Sequence, residues 1–291
     1  MPKHLRRTLA KRKHDVVIAM TTAGLSVGFL LFPAAANWAN ARLHAAQLSG
    51  WAQTVNTAAP TEITELLAAA EAYNARLAAG REGLLDESDP GYRAQLRVAG
   101  TQVISRVMVP SINVALPIFH GTGGDVLEIG AGHLYGTALP VGNRQDSGFG
   151  THGVITAHSG IDTNHLFNDI HDLTYGDLFF IETAGRQMFY RVDQITIVPA
   201  DTLKAFNADN GDDLVTLLTC TPIGINSHRL LVRGSRYFPL IPDAEEITAV
   251  TRFRPAGQQF PTFALAWPGS VATAGAATHL LVKPKKKSRR L

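Results

Sequence analysis

The chain has 291 residues, 45% of them hydrophobic, with a formal net charge of +3 and a pI near 9.1. That is enough to bury the core of one sizeable domain with appendages. The basic charge is confined to the ends. Residues 1–15 carry a net +5 and residues 283–291 a net +6, which leaves about −8 for everything between and excludes a basic, nucleic-acid-binding body.

Residues 1–15 read as a basic cytoplasmic tail. From Val16 to Ala41 no residue is charged, and the apolar part is long enough for a hydrocarbon core, which needs roughly 20 residues. A transmembrane helix is therefore expected over 16–38. Cations precede it in the positive-inside sense, and Trp38 sits at the far interface. This places the N-terminus in the cytoplasm and the body outside. A cleaved signal peptide is the alternative, since "AAANWA" offers small residues to a signal peptidase.

Residues 40–84 are rich in Ala, Leu, Glu and Gln. "TEITELLAAAEAYNARL", opened by Pro60, carries apolar residues at helical spacing, and one or two helices ending near Gly80 are expected. Residues 85–100 are polar, are broken by Asp89-Pro90-Gly91, and read as a loop. Over 101–240 the texture changes to short β-branched or aromatic runs. "QVISRVMVP", "NVALPIF", "GVITAH", "DLFFIET", "QMFYRVDQITIVP", "LVTLLTC" and "HRLLVRGSRYF" are separated by Gly, Pro, Asn and Asp. Seven or eight short strands of this kind indicate a β-barrel or sandwich. Alternation in "FYRVDQITIV" puts Tyr190, Val192, Gln194 and Thr196 on one face and Arg191, Asp193, Ile195 and Ile197 on the other. Residues 255–282 again lack Asp, Glu, Lys and Arg, and the basic tail 283–291 follows. They read either as a second transmembrane segment, poor in that Pro261 and Pro268 interrupt it, or as a tail whose cations touch anionic lipid.

Cys220 is the only cysteine, so no disulfide forms within the chain. It ends the apolar run Leu214–Leu218, and Pro222 follows, which places it where a strand gives way to a loop. Acyl transfer by a thiol needs thiolate character, a group to protonate the leaving amine, and positive charge where the carbonyl oxygen becomes negative. Arg229 opens the next strand. If the two strands form a hairpin through "TPIGINSH", Arg229 lies beside Cys220, whereas Arg233 lies further along. Of 11 histidines, His158 ends the strand "HGVITAH" in a setting that mirrors Cys220. His152 begins the same strand, roughly 20 Å away. His165 and His171 fall in a polar loop, without the spacing of a metal site.

"TLLTC" at 216–220, Arg229 nine residues on, and "TAHSG" around His158 resemble the sortases of Gram-positive bacteria over about 85–240, with "VPSINVALPIFHGT" similar to the family's early strands. The resemblance implies an eight-stranded β-barrel and a membrane-anchored cysteine transpeptidase. Such an enzyme cuts an LPxTG-like sorting signal between Thr and Gly, holds the acyl group on Cys220, and passes it to an amine, without cofactor or metal. His158 would be general acid and base, and Arg229 would orient substrate and oxyanion. "TCTPIGINSHRLLVRG" looks like class C, the pilin polymerases, whose acceptor is a pilin lysine. The alternatives are a housekeeping sortase that anchors surface proteins to cell-wall precursor, and a cysteine hydrolase. Class C also implies a lid, with Asp-Pro and an aromatic. Here Asp89 and Pro90 are followed by Gly91 and then Tyr92, so that Asp89 is expected to pair with Arg229 and Tyr92 to cover Cys220.

Overall fold

The computed structural model describes residues 3–80, 87–143, 147–202, 206, 208 and 211–238, without the side chains of 3–10, 13 and 17. The 255–282 and 283–291 segments lie outside the described residues. The chain forms two units, one reaching Ala39 and one beginning at Asn40.

Helix α1 (Lys3–Thr57) carries the expected apolar stretch. It is long and apolar enough to cross a membrane, with a mean hydropathy of 1.9 over its most apolar window. Leu25, Phe29, Leu30 and Phe32 are exposed along it. Its hydroxyls are satisfied within the helix, Thr22 donating to the Ile18 carbonyl and Ser26 to the Thr22 carbonyl, each at 2.9 Å. Such back-bonding is what an apolar medium demands of a serine or threonine. The helix does not stop near residue 38. Between Trp38 and Thr57 there is no proline, the residues are mostly Ala, Leu, Gln and Asn, and one helix runs through both expected segments.

In the second unit, Trp51 and Val55 of α1 pack with Val98, Val103, Phe119 and Val126. Helix α2 (Pro60–Ala78) starts with proline in its first turn, where the missing N–H costs nothing. It buries Leu67, Ala70, Tyr73 and Asn74 at helical spacing. Asn74 docks it by a two-way bond, donating to the Leu139 carbonyl (3.0 Å) and accepting from the Leu139 N–H (2.8 Å).

The barrel strands are β1 (Ser105–Val109), β2 (Val114–His120), β3 (Ala131–His133), β4 (Thr151–Thr156), β5 (Leu178–Thr183), β6 (Arg186–Pro199), β7 (Asp213–Thr221) and β8 (His228–Arg236). They close in the order β1-β2-β3-β4-β7-β8-β6-β5. Pairs β2–β3 and β4–β7 are parallel and the rest antiparallel. Closure leaves no open sheet edge. Ile155, Ala157, Val215, Leu217, Leu230 and Val232 belong to the interior core. Their neighbours on β4, β7 and β8 therefore point outward. The alternation expected along β6 holds only in part. Tyr190 and Val192 enter the core, but the register shifts between Val192 and Gln194, so Ile195 packs inward where the sequence pattern puts Gln194.

The loop 85–100 is described from residue 87, and there Asp89 and Tyr92 make other contacts than those expected of a lid. Helix α3 (Pro90–Arg93) is a single capped turn. The Asp89 carboxylate accepts from the Gly91 (3.2 Å) and Tyr92 (3.1 Å) amides, the ordinary use of aspartate before a helical proline. Tyr92 is completely buried, its ring edge-on to His120 and Tyr135. Its hydroxyl lies 2.8 Å from His133 Nδ1 and accepts from the Gly121 amide at 3.1 Å. Asp89 thus spends its oxygens on the cap rather than on Arg229, and Tyr92 is a core side chain rather than a cover for Cys220.

His133 and His120 are held neutral. His133 Nε2 faces the Ala138 carbonyl at 2.9 Å, which can only accept, so the proton sits on Nε2 and Nδ1 is left to accept. Burial lowers the pKa of His133 to about 4, and burial with the nearby His133 lowers that of His120 to about 3, from 6.5. Both are protonated more readily in the unfolded chain, so the barrel loses stability as pH falls below 6.5. At pH 5 each histidine withdraws about 2 kcal/mol. Urea denaturation of the full chain in detergent should show the loss between pH 7 and 5, and His120→Asn should flatten it. A pH-independent midpoint would contradict this account.

Candidate active site

Cys220 is the penultimate residue of β7, and its cross-strand partner on β8 is Arg229. On the other side of β7 the parallel β4 ends with Thr156 opposite Leu218. Continuing that register by two residues sets His158 opposite Cys220. The continuation is hydrogen-bonded. The Ala157 amide donates to the Leu218 carbonyl (3.2 Å), Thr219 Oγ1 to the Ala157 carbonyl (2.8 Å), and Ser159 Oγ to the Cys220 carbonyl (2.7 Å). Because Ala157, Leu217 and Leu230 point inward, His158, Cys220 and Arg229 share the outward direction. Three neighbouring strands thus bring the three residues into one row at the same end of the barrel wall.

All three are half-buried, exposed enough to meet a ligand and fixed enough to hold a position. Arg229 Nη1 donates to the carbonyls of Asn226 and His228, both at 3.0 Å. Among the described residues it has no carboxylate partner. Arg233 differs. It stands opposite Thr216, two outward positions from Cys220, and both guanidinium nitrogens facing Asp193 are bonded to it at 3.0 and 3.1 Å. Of these two arginines, Arg229 is the one without a carboxylate partner among the described residues.

The walls of the site are the segments after β4 and after β7. Gly160 has φ +79°, and a Cβ there would lie 2.7 Å from Ile223 Cγ2. Only glycine permits both that conformation and that approach. The segment after β4 is tied down along its length. The His158 carbonyl accepts from the buried Phe167 amide (2.9 Å), and Asn168 Oδ1 accepts from the Gly160 amide (2.8 Å). Asn40 of α1 donates to the Thr163 carbonyl at 2.7 Å, and Asn164 to the Glu128 carbonyl at 2.9 Å.

His228 opens β8 beside Arg229, opposite Thr221, with its Nδ1 2.8 Å from Ser227 Oγ, while the other histidines weighed from the sequence have other partners. His152 is buried at the start of β4, its Nε2 2.8 Å from Thr216 Oγ1. His165 pairs with Asp169 (2.7 Å), and His171 Nδ1 lies 2.9 Å from the Asn168 carbonyl. Sequence reasoning missed Ser159, although it stands next to His158 in "TAHSG". It also missed the buried pair His120, at the end of β2, and His133, at the end of the three-residue β3, which is too short to show a period.

The family described as Sortase domain matches residues 107–237. Sortase A of Bacillus anthracis is 28% identical over 150 residues, 52% of this chain and 67% of that protein. Among solved structures, sortase C1 of Streptococcus agalactiae pilus island 1 is 41% identical with a TM-score of 0.60, covering 69% of this chain and 94% of that one. Sortase C of Clostridium perfringens, solved with a C-terminal cell wall sorting motif, is 36% identical with a TM-score of 0.58, covering 67% of this chain and 99% of that one.

Proposed function

Since the chain belongs to the sortase family of cysteine transpeptidases, with class C sortases as structural neighbours, we propose that it is a membrane-anchored, class C-type sortase that joins pilin subunits. It would cleave an LPxTG-like signal between Thr and Gly and pass the acyl group to a lysine amine of the next subunit. The observation that carries this reading is the row His158, Cys220, Arg229, with a guanidinium that has no carboxylate partner among the described residues beside the only thiol. The similarity to a pilus-island sortase and to one solved with a sorting motif supports the choice of substrate.

In the first half-reaction the Cys220 thiolate attacks the threonine carbonyl carbon. A C–S bond forms, and the carbonyl oxygen gains a negative charge that Arg229 meets with hydrogen bonds. Collapse breaks the C–N bond while His158 gives a proton to the departing glycine amine. In the second half-reaction the lysine amine attacks the thioester, His158 takes its proton, and the thiolate leaves. One amide is broken and one is made. The cations ahead of the apolar part of α1 favour a cytoplasmic N-terminus and an extracellular barrel.

The test is acceptor choice. The full chain in lipid vesicles is given a fluorescent LPxTG peptide with either a lysine-bearing pilin peptide or a cell-wall stem peptide. An isopeptide bond to lysine is expected. Transfer only to the stem peptide would make it an anchoring enzyme, and a free threonine carboxylate with both amines present would make it a hydrolase.

A further inference from the structure

The acid–base group and the nucleophile proposed above come from neighbouring segments that leave the strand register at Cys220. Beyond it the segment after β7 continues through Pro222 and packs Ile223 against Gly160 of the segment after β4. The hydrogen bond that joins the two at Cys220 is the one from Ser159 Oγ to the Cys220 carbonyl, at 2.7 Å. It begins on the residue after His158 and ends on the peptide of Cys220 itself. We propose that Ser159 is a positioning residue that sets the distance between the His158 ring and the Cys220 thiol. The proposal rests on the roles given to those two residues.

The surrounding bonds show why this one matters. The Phe167 amide holds the His158 carbonyl, and Asn168 holds the Gly160 amide, so the backbone on either side of Ser159 is fixed within its own segment. The Asn40 and Asn164 bonds fix the far part of the segment to α1 and to the loop before β3. None of these reaches β7. Thr219 reaches across one residue earlier, onto Ala157, before His158 leaves the strand register. Without the serine hydroxyl, the segment keeps its internal bonds and the packing of Gly160 on Ile223, but loses its hydrogen bond to the Cys220 peptide and can shift relative to the thiol. The half-buried Cys220 carbonyl turns to water instead. The fold should survive and the geometry of proton transfer should not. A displacement near 1 Å at a reacting group costs up to roughly 10²-fold, and a tilt about a tethered segment roughly tenfold.

The experiment uses the full chain in detergent, a fluorescent LPxTG peptide and a lysine peptide. Ser159→Ala should lower kcat roughly tenfold with KM within about twofold and an unchanged melting temperature. Ser159→Thr keeps the hydroxyl and should restore most of the rate. Alkylation of Cys220 by iodoacetamide reports the pairing directly. In Ser159→Ala its pH profile should change, because the His158 ring no longer sits beside the sulfur. In a His158→Ala background the serine change should add nothing, since the two act as one unit. Should His158→Ala be inactive while Ser159→Ala keeps both its kcat and its alkylation profile, the positioning role is wrong and the site stands. An equal fall in the alanine and threonine variants would also overturn it. If His158→Ala keeps full activity, the site itself is misassigned and this proposal goes with it.

Discussion

Cys220→Ala is expected to remove all acyl transfer while leaving the barrel folded. The thiol is half-buried at the end of β7, where an alanine leaves little void and breaks no hydrogen bond of the β7 ladder. No other cysteine exists to substitute for it. Without the sulfur no thioester forms, so both peptide cleavage and ligation should fall to the detection limit, with circular dichroism and melting temperature unchanged. Intact-mass spectrometry of the wild type mixed with donor peptide and no acceptor should show a single acyl adduct, mapped to Cys220. Cleavage that persists in the alanine variant, or an adduct on another residue, would remove the thiol from the mechanism.

The second large effect is at Arg229. Its guanidinium is oriented by two backbone carbonyls and has no carboxylate partner among the described residues, so on the proposed mechanism it donates to the oxyanion developing beside Cys220. Losing one such donor costs roughly 10²–10³ in kcat. Arg229→Ala should fall in that range. Arg229→Lys should recover little, because an ammonium lacks the planar fork that bonds backbone and substrate together. Arg233→Ala should change kcat less than threefold, since its charge is already spent on Asp193. A threefold or smaller loss in Arg229→Ala, or equal losses at the two arginines, would rule out the oxyanion role.

What could be read in the sequence was whatever lies close along it. Cys220 and Arg229 belong to one hairpin, so the loop length sets their pairing, and the expected neighbourhood is the observed cross-strand pair. The ends of "GVITAH" and "LVTLLTC" could be marked as strand ends. That they are adjacent parallel strands, with His158 continuing the register onto Cys220, is a property of barrel closure that no local pattern carries. Strand β3 has three residues and no period to detect. The bulge after Val192 shifts the alternation of β6 without a glycine to announce it. "SDPGY" supports both a lid and a cap on local grounds. What decides for the cap is His133, which is 41 residues further on and gives the Tyr92 hydroxyl a buried partner. The apolar stretch of α1 was legible from hydropathy, but its continuation to Thr57 was not, because an end was assumed where the hydrophobicity stops.

The parallel pairing of β4 with β7 also has a consequence for how the chain becomes an enzyme. It joins residues 62 positions apart, whereas Cys220 and Arg229 are nine apart. Closing the longer loop costs about 2 kcal/mol more in chain entropy, and contacts of that separation form late. The thiol and its arginine therefore meet while the histidine is still elsewhere. On the proposed roles, an immature barrel would have a nucleophile with no proton donor, and could neither expel a glycine amine nor discharge a thioester. A refolding time course that compares burial of the thiol with the return of peptide cleavage reads this order directly, and simultaneous recovery would contradict it. Competence arrives with the last pairing, so a chain that has not finished folding cannot yet work on its surroundings.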